Sequence, residues 1–288
     1  MIARSALRPA ARKVGLRFLS SAPQFDAEMS ALYSKIAENH HHPAGPWPLM
    51  LAAVKAANPA SLIDLATGPG QPAMTIAQAM PSVEVTATDV SPDMVATASK
   101  SAAGVPNMEV KEADLEDLSQ FPDGSFDTAT CCYGYMFPTD KPKALSETFR
   151  VLKPGGTLVG TTWDRVDMLE IVRDVMTDVL GGEAPPPPPL NPMSLSEPNL
   201  FESLVADAGF VDVEVSRSTY PFNFGAEPDF QQKMGLLLVK DKLEELGKRA
   251  EAEEAFWRHV GKYTEKNAAG ELIMPANTFK LLVAKRPE

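Results

Sequence analysis

The 288-residue sequence predicts an α/β fold: a doubly wound, mostly parallel sheet of seven strands, with helices on both faces and a helical cap. Three observations predict it. Short apolar or β-branched runs alternate with helix-length segments between residues 58 and 165. The first run leads into Asp64-Leu65-Ala66-Thr67-Gly68-Pro69-Gly70, a glycine turn that opens a helix. The second run ends in Asp89, 19 residues after Gly70, where an acidic residue of such a sheet faces the ribose of a nucleoside ligand.

The elements follow in order. Residues 26–39 read as a helix with Met29, Leu32, Tyr33 and Ile36 on one face. The polar stretch 40–46, with His40, His41 and His42, reads as a loop, and 47–57 as a second helix. Residues 61–66 form the first strand. A helix over 72–80 starts on Pro72 and stops before Pro81. Residues 83–88 are the second strand, and Ser91-Pro92 is the N-cap and first position of the next helix. Residues 108–111 and 126–132 are strands three and four. A helix over 144–152 closes on Pro154-Gly155-Gly156, and 157–163 is strand five.

Beyond Trp163 the rhythm loosens. A helix covers 167–180, and five consecutive prolines make 181–192 a stiff linker. A helix over 196–208 is capped by Ser196. Residues 211–222 are extended, two further helices occupy 226–266, and the last strand spans 276–285. The chain thus divides into a leader over 1–20, cap helices over 21–57, a ligand-binding core over 58–165, and cap helices with the last strands over 166–288.

Composition excludes several classes of function. The net charge of −11 argues against a nucleic-acid partner, since phosphate binding needs a basic face. The sequence holds no apolar run long enough for a membrane span. Two adjacent cysteines, Cys131 and Cys132, supply neither a disulfide framework nor a four-cysteine zinc site. Consecutive histidines point in different directions, so no metal site is expected at 40–42.

Charge is unevenly spread. Residues 1–25 carry Arg4, Arg8, Arg12, Lys13 and Arg17 and no acid; subtracting these five from −11 leaves −16 on the rest. Arginine-rich, serine-containing and amphipathic, the segment reads as an organelle transit peptide, mitochondrial ahead of plastid, with a processing site near Arg17–Ser21.

The glycine turn alone admits NAD, because Ala73 satisfies the third position of a dinucleotide fingerprint. A wider pattern selects another ligand. The segment SLIDLATGPGQPA resembles motif I of the class I S-adenosylmethionine-dependent methyltransferases, with Ala66 in place of the first glycine. TATDVSPDMVATA, Glu112-Ala113-Asp114-Leu115, FPDGSFDTATCCYGYMFPTD and FRVLKPGGTLVGTTW are similar to that family's later motifs, in order and at the family's spacing. The resemblance implies a Rossmann-like core with S-adenosylmethionine as cofactor.

Position by position, it implies that Asp64 opens the motif and that Ala66, Thr67, Gly68 and Gly70 wrap the methionine half. It implies that Asp89 accepts from both ribose hydroxyls, and that Val90 and Met94 pack on the adenine ring. Asp114 and the Leu115 backbone would read the adenine edge, and Cys131 would lie under the methionine chain.

The acceptor is less sharply indicated. Tyr133, Tyr135, Met136 and Trp163 fall at the carboxyl ends of strands four and five, where open α/β sheets bind ligands. Tyr133, Met136 and Trp163 are the expected acceptor contacts, and His42 is the candidate base. Aromatic faces favour a group that becomes an onium ion, which points to a thioether or amine in a small molecule. An open groove instead of a closed cap would mark a protein acceptor. Intact cofactor residues without catalysis would mark a non-catalytic organellar assembly factor.

Overall fold

The computed structural model describes residues 27–182 and 191–288. The transit segment 1–20 and the proline run 185–189 lie outside the described residues.

The chain opens with helix α1 (Ala27–Ala37), a 3-10 turn (Glu38–His41) and helix α2 (Pro46–Ala57). The core follows as β1 (Ser61–Leu65), α3 (Ala73–Ala79), β2 (Glu84–Asp89), α4 (Pro92–Ser101), β3 (Met108–Glu112), β4 (Phe126–Cys132), α5 (Lys141–Val151) and β5 (Leu152–Arg165). Then come α6 (Asp167–Val179), α7 (Leu200–Asp207), β6 (Val211–Asn223), α8 (Pro228–Leu236), α9 (Lys240–Leu246), α10 (Arg249–His259), β7 (Glu265–Lys266) and β8 (Leu272–Lys285).

The strand order is β3-β2-β1-β4-β5-β8-β6, with β7 paired to β8. Strands β1 to β5 pair in parallel, whereas β8 runs antiparallel to both β5 and β6. The doubly wound α/β expectation holds, with the short β7 added to the seven expected strands. Because β1 sits between β2 and β4, the winding reverses at β1, and a crevice opens at the carboxyl ends of these strands. Leu62, Ile63, Leu65, Ala129, Leu158 and Val159 are fully buried, as expected for strands covered on both faces.

Three local expectations are corrected. Helix α7 begins at Leu200, not 196, because Asn199 sits in the left-handed region at φ 61° and interrupts any helix begun before it. Ser196 instead donates its hydroxyl to the Met193 carbonyl at 2.8 Å. Residues 226–266 hold three helices, not two, since Gly247 ends α9 in the left-handed region. Strand β5 starts at Leu152 and carries the Pro-Gly-Gly segment within it.

The cap is clasped to β6. Asn223 donates its amide to Asn39 Oδ1 at 2.7 Å, and Asn39 Nδ2 donates back to the Asn223 carbonyl at 3.2 Å. Ser218 Oγ donates to the Ala44 carbonyl at 2.7 Å. These bonds hold the turn at 38–41 over the mouth of the sheet.

Candidate active site

The turn after β1 is tight and left-handed at three places: Ala66 (φ 52°), Gly68 (φ 57°) and Gly70 (φ 104°). Thr67 donates its amide to the Thr88 carbonyl at 2.8 Å, tying the turn to the end of β2. Asp89 completes the tie. Its Oδ2 accepts from the Gly68 amide at 2.8 Å and its Oδ1 from the Ser91 amide at 2.9 Å. Burial pushes the Asp89 carboxyl up, and the Ser91 and Gly68 amides pull it back. Each carboxylate oxygen keeps a further lone pair, so two hydroxyls can still be accepted.

Thr67, Gly68, Asp89, Val90, Met94, Asp114 and Leu115 all line one cavity of about 290 Å³. Val90 stands 49% exposed at the rim, and Met94 is buried. Asp114 Oδ1 accepts from the Glu116 amide at 2.8 Å, which fixes the acidic segment after β3. The buried Thr67 hydroxyl faces the Asp64 carboxylate, whose proton affinity it helps to lower against the effect of burial.

Three sequence-predicted residues stand behind this wall, not in it. Asp64 is fully buried; Thr130 donates to its Oδ1, and burial pushes its carboxyl up to about 6. A Cβ added to Gly70 would meet Ala98 at 3.4 Å, so Gly70 serves the packing of α4. Cys131 is buried beneath Gly134, and Cys132 lines the cavity in its place. A Cβ on Gly134 would lie 2.5 Å from Cys131 Sγ and 2.7 Å from Ala66 Cβ, so only glycine lets the end of β4 pass the turn this closely.

The other half of the cavity is aromatic. Tyr133 follows β4 with φ 59°, a left-handed conformation rare for an aromatic residue. Its ring stacks on Trp163 at 4.0 Å and 10°. Met136 Sδ accepts from the Trp163 amide at 3.5 Å. Tyr133, Met136 and Trp163 therefore meet in the cavity wall. Tyr135 turns away and pairs its hydroxyl with Thr148 in the core at 2.8 Å.

The structure places His40, not His42, against the cavity. His42 is exposed, and its Nδ1 accepts from the Ala44 amide at 3.1 Å. His40 is 3% exposed, ringed by Tyr133, Trp47, Phe222, Tyr220 and Trp163 at centroid distances of 5.3, 5.5, 5.8, 5.9 and 6.2 Å. Burial, with His41 nearby, pushes its imidazole down to about 3, so it is neutral at physiological pH. Its Nδ1 lies 2.7 Å from the Tyr220 hydroxyl, which lies 3.2 Å from that of Tyr133. The sequence singles out neither His40 nor Tyr220. Its signal is weak: three consecutive histidines, only one of which the 3-10 turn aims inward.

The charged lining residues among those described are Asp89, Asp114 and Glu116, all at the nucleoside end; the lining holds no lysine or arginine. Ile36, Trp47, Phe222, Phe224, Met234 and Leu237 make the remaining wall apolar. Among the described residues no group of three His, Cys, Asp or Glu is placed to hold a metal ion. No described helix is long and apolar enough to cross a membrane.

Comparison with known proteins bears on this geometry. Residues 62–156 match the profile of a methyltransferase domain. The chain is 41% identical over 102 residues to a demethylmenaquinone methyltransferase of Thermus thermophilus, covering 35% of this chain and 46% of that protein. It is 29% identical over 238 residues to a trans-aconitate 2-methyltransferase of Deinococcus radiodurans, covering 80% of this chain and 88% of that protein. The chain spans about half the length of the demethylmenaquinone methyltransferases it matches. The fold superposes on the YcgJ protein of Bacillus subtilis with a TM-score of 0.55 at 22% identity, over 86% of this chain and 100% of that one.

Proposed function

We propose that this chain, whose residues 62–156 match a methyltransferase domain, is a class I S-adenosylmethionine-dependent enzyme that transfers a methyl group from S-adenosylmethionine to a small, uncharged, largely apolar acceptor. One observation carries the reading: a single cavity joins the Asp89–Gly68 turn to the Tyr133–Trp163 stack.

The residues present fit the cofactor. The left-handed turn at 66–70 would hold the methionine half, with Ala66, Thr67 and Gly68 lining the cavity there. Asp89 would accept from the ribose hydroxyls. Val90 and Met94 would pack on the adenine, and Asp114 with the Leu115 amide would read its edge. The bound cofactor supplies a sulfonium methyl group open to in-line attack. The chain's own work is to orient the acceptor on Tyr133, Met136 and Trp163 and to exclude water behind the apolar cap.

The acceptor follows from what the wall lacks. A carboxylate or phosphate buried there would find no lysine or arginine among the described lining residues, and an unpaired buried charge is strongly unfavourable. This favours an acceptor less charged than the trans-aconitate in the Deinococcus radiodurans relative's name. The aromatic stack and the neutral His40 favour a thioether or neutral amine, which needs no strong base. The buried wall of Ile36, His40 and Trp47 favours a small molecule over a protein acceptor. Titration calorimetry with S-adenosylmethionine and with NAD tests the cofactor assignment. Saturable binding of the first alone is expected; binding of NAD alone would overturn it.

We also assign residues 1–20 as a mitochondrial leader, on the five basic residues and absence of acids over residues 1–25. Fused to a fluorescent reporter, residues 1–25 should direct it to mitochondria. A cytosolic reporter would overturn the assignment, and a plastid one would change the organelle.

A further inference from the structure

Resting on the methyltransferase reading above, we propose that Tyr220 is a positioning residue of the acceptor site: its hydroxyl holds His40 in the tautomer protonated on Nε2, so that the cap offers a hydrogen-bond donor to the largely aromatic half of the cavity.

Tyr220 sits on β6, is 1% exposed, and does not line the cavity. Its ring is fixed edge-on to Phe222 and Phe279, at 5.3 and 5.6 Å. What reaches the site is its hydroxyl, 2.7 Å from His40 Nδ1. One of the two partners must donate across that distance. A phenol O–H, with a pKa of about 10, is a stronger acid than a neutral imidazole N–H. The bare ring nitrogen is in turn a stronger base than a phenol oxygen. Tyr220 therefore donates and Nδ1 accepts. A neutral imidazole carries a single N–H, which then sits on Nε2. Burial keeps the ring neutral. The Tyr133 hydroxyl, 3.2 Å away, donates into the Tyr220 oxygen and extends the chain Tyr133 to Tyr220 to His40.

A donor fixed in a largely apolar wall discriminates by chemistry. An acceptor with a carbonyl, ether or hydroxyl oxygen satisfies it, and a pure hydrocarbon leaves it unpaired. The substrate class is thereby narrowed to a largely apolar, uncharged molecule with an oxygen placed to meet the cap. The methylated atom is a separate group, held at the Tyr133–Trp163 stack.

The test uses the full chain, labelled with 15N-histidine and loaded with S-adenosylhomocysteine. The probes are 2-acetylnaphthalene and 2-isopropenylnaphthalene, which differ by a carbonyl oxygen in place of a methylene. The His40 resonances, identified with His40→Gln, should report the Nε2–H form in the wild type. Tyr220→Phe should populate both tautomers. It should lower the preference for the ketone over the alkene by the reciprocal of the fraction left in the Nε2–H form, about twofold when the two tautomers are equally populated, and leave alkene affinity unchanged. An Nδ1–H form in the wild type, or an unchanged preference in Tyr220→Phe, would overturn the proposal. The wild-type tautomer supports or overturns it even if the variant fails to fold. A chain that refuses S-adenosylhomocysteine sinks the methyltransferase reading instead; one that binds it but shows the other tautomer sinks only this inference.

Discussion

The hydroxyl of Tyr220 lies 2.7 Å from Nδ1 of His40, joining strand β6 to the cap turn across 180 positions of sequence. The bond buries a titratable ring in an aromatic shell, and the burial has consequences for stability. Between about 6.5, the ordinary histidine value, and the folded value of about 3, the unfolded chain takes up a proton that the folded chain refuses. His40 thus contributes stability that is full above pH 6.5 and lost as pH falls, at up to about 1.4 kcal/mol per pH unit. Asp64 has the opposite sign. Its carboxyl is raised by burial from 3.8 to about 6, so it stabilises the fold at acid pH and loses that contribution as pH rises through this window. Urea unfolding between about pH 4 and pH 6 should find His40→Gln relatively more acid-resistant and Asp64→Asn more acid-sensitive than wild type. Identical pH slopes in all three would show that neither group is perturbed.

The two histidines should separate in activity. His42→Ala, at an exposed position, should leave kcat/KM within about twofold. His40→Gln should lower it roughly ten- to a hundredfold through misplacement of the acceptor. Because His40 stays neutral, kcat of the wild type with a thioether acceptor should be nearly flat from about pH 6 to 9. A loss below about pH 6.5 that His42→Ala abolishes together with activity would make the exposed histidine the base.

Asp89→Ala removes the carboxylate that holds the Gly68 and Ser91 amides and faces the cavity. S-adenosylmethionine affinity should fall by about 1.5–3 kcal/mol, the scale of charge-assisted hydrogen bonds. Unchanged affinity in a folded variant, measured by calorimetry, would remove Asp89 from the cofactor site.

The contact between Ala66 and Gly134 predicts coupled stability. Gly134→Ala should cost about 1–3 kcal/mol through overlap with Cys131 Sγ and Ala66 Cβ. Ala66→Gly relieves a left-handed alanine at the expense of unfolded-state entropy, so alone it should change stability by less than about 1 kcal/mol. Combined, Ala66→Gly should recover part of the Gly134→Ala loss. Strict additivity in thermal melts would show that the two residues do not touch.

Much of the nucleoside half is legible in the sequence because its logic is local. The turn at 66–70 and Asp89 sit at strand ends that apolar runs mark, and the register of β1 on β2 follows from those runs. The acceptor half depends on contacts between distant segments. Choosing His40 over His42 requires the pitch of a four-residue turn and the position of Tyr220 on a strand far along the chain. The cysteine pair is ambiguous for another reason. Successive strand residues face opposite sides, but β4 is buried on both, so hydrophobicity does not tell which sulfur meets the cavity. The start of α7 is hidden because Ser196 looks like a cap, while its hydroxyl turns back to the Met193 carbonyl and Asn199, in the left-handed region, delays the helix to Leu200.

The most direct measurement is a transfer screen with S-adenosylmethionine bearing a trideuterated methyl group. The purified chain is incubated with fractionated cellular metabolites, and products are read by mass shift. A labelled, uncharged or newly cationic, largely apolar product should form together with an equal amount of S-adenosylhomocysteine. A chain that binds the donor yet labels no small molecule, or labels chiefly polyanionic ones, would contradict an apolar acceptor site.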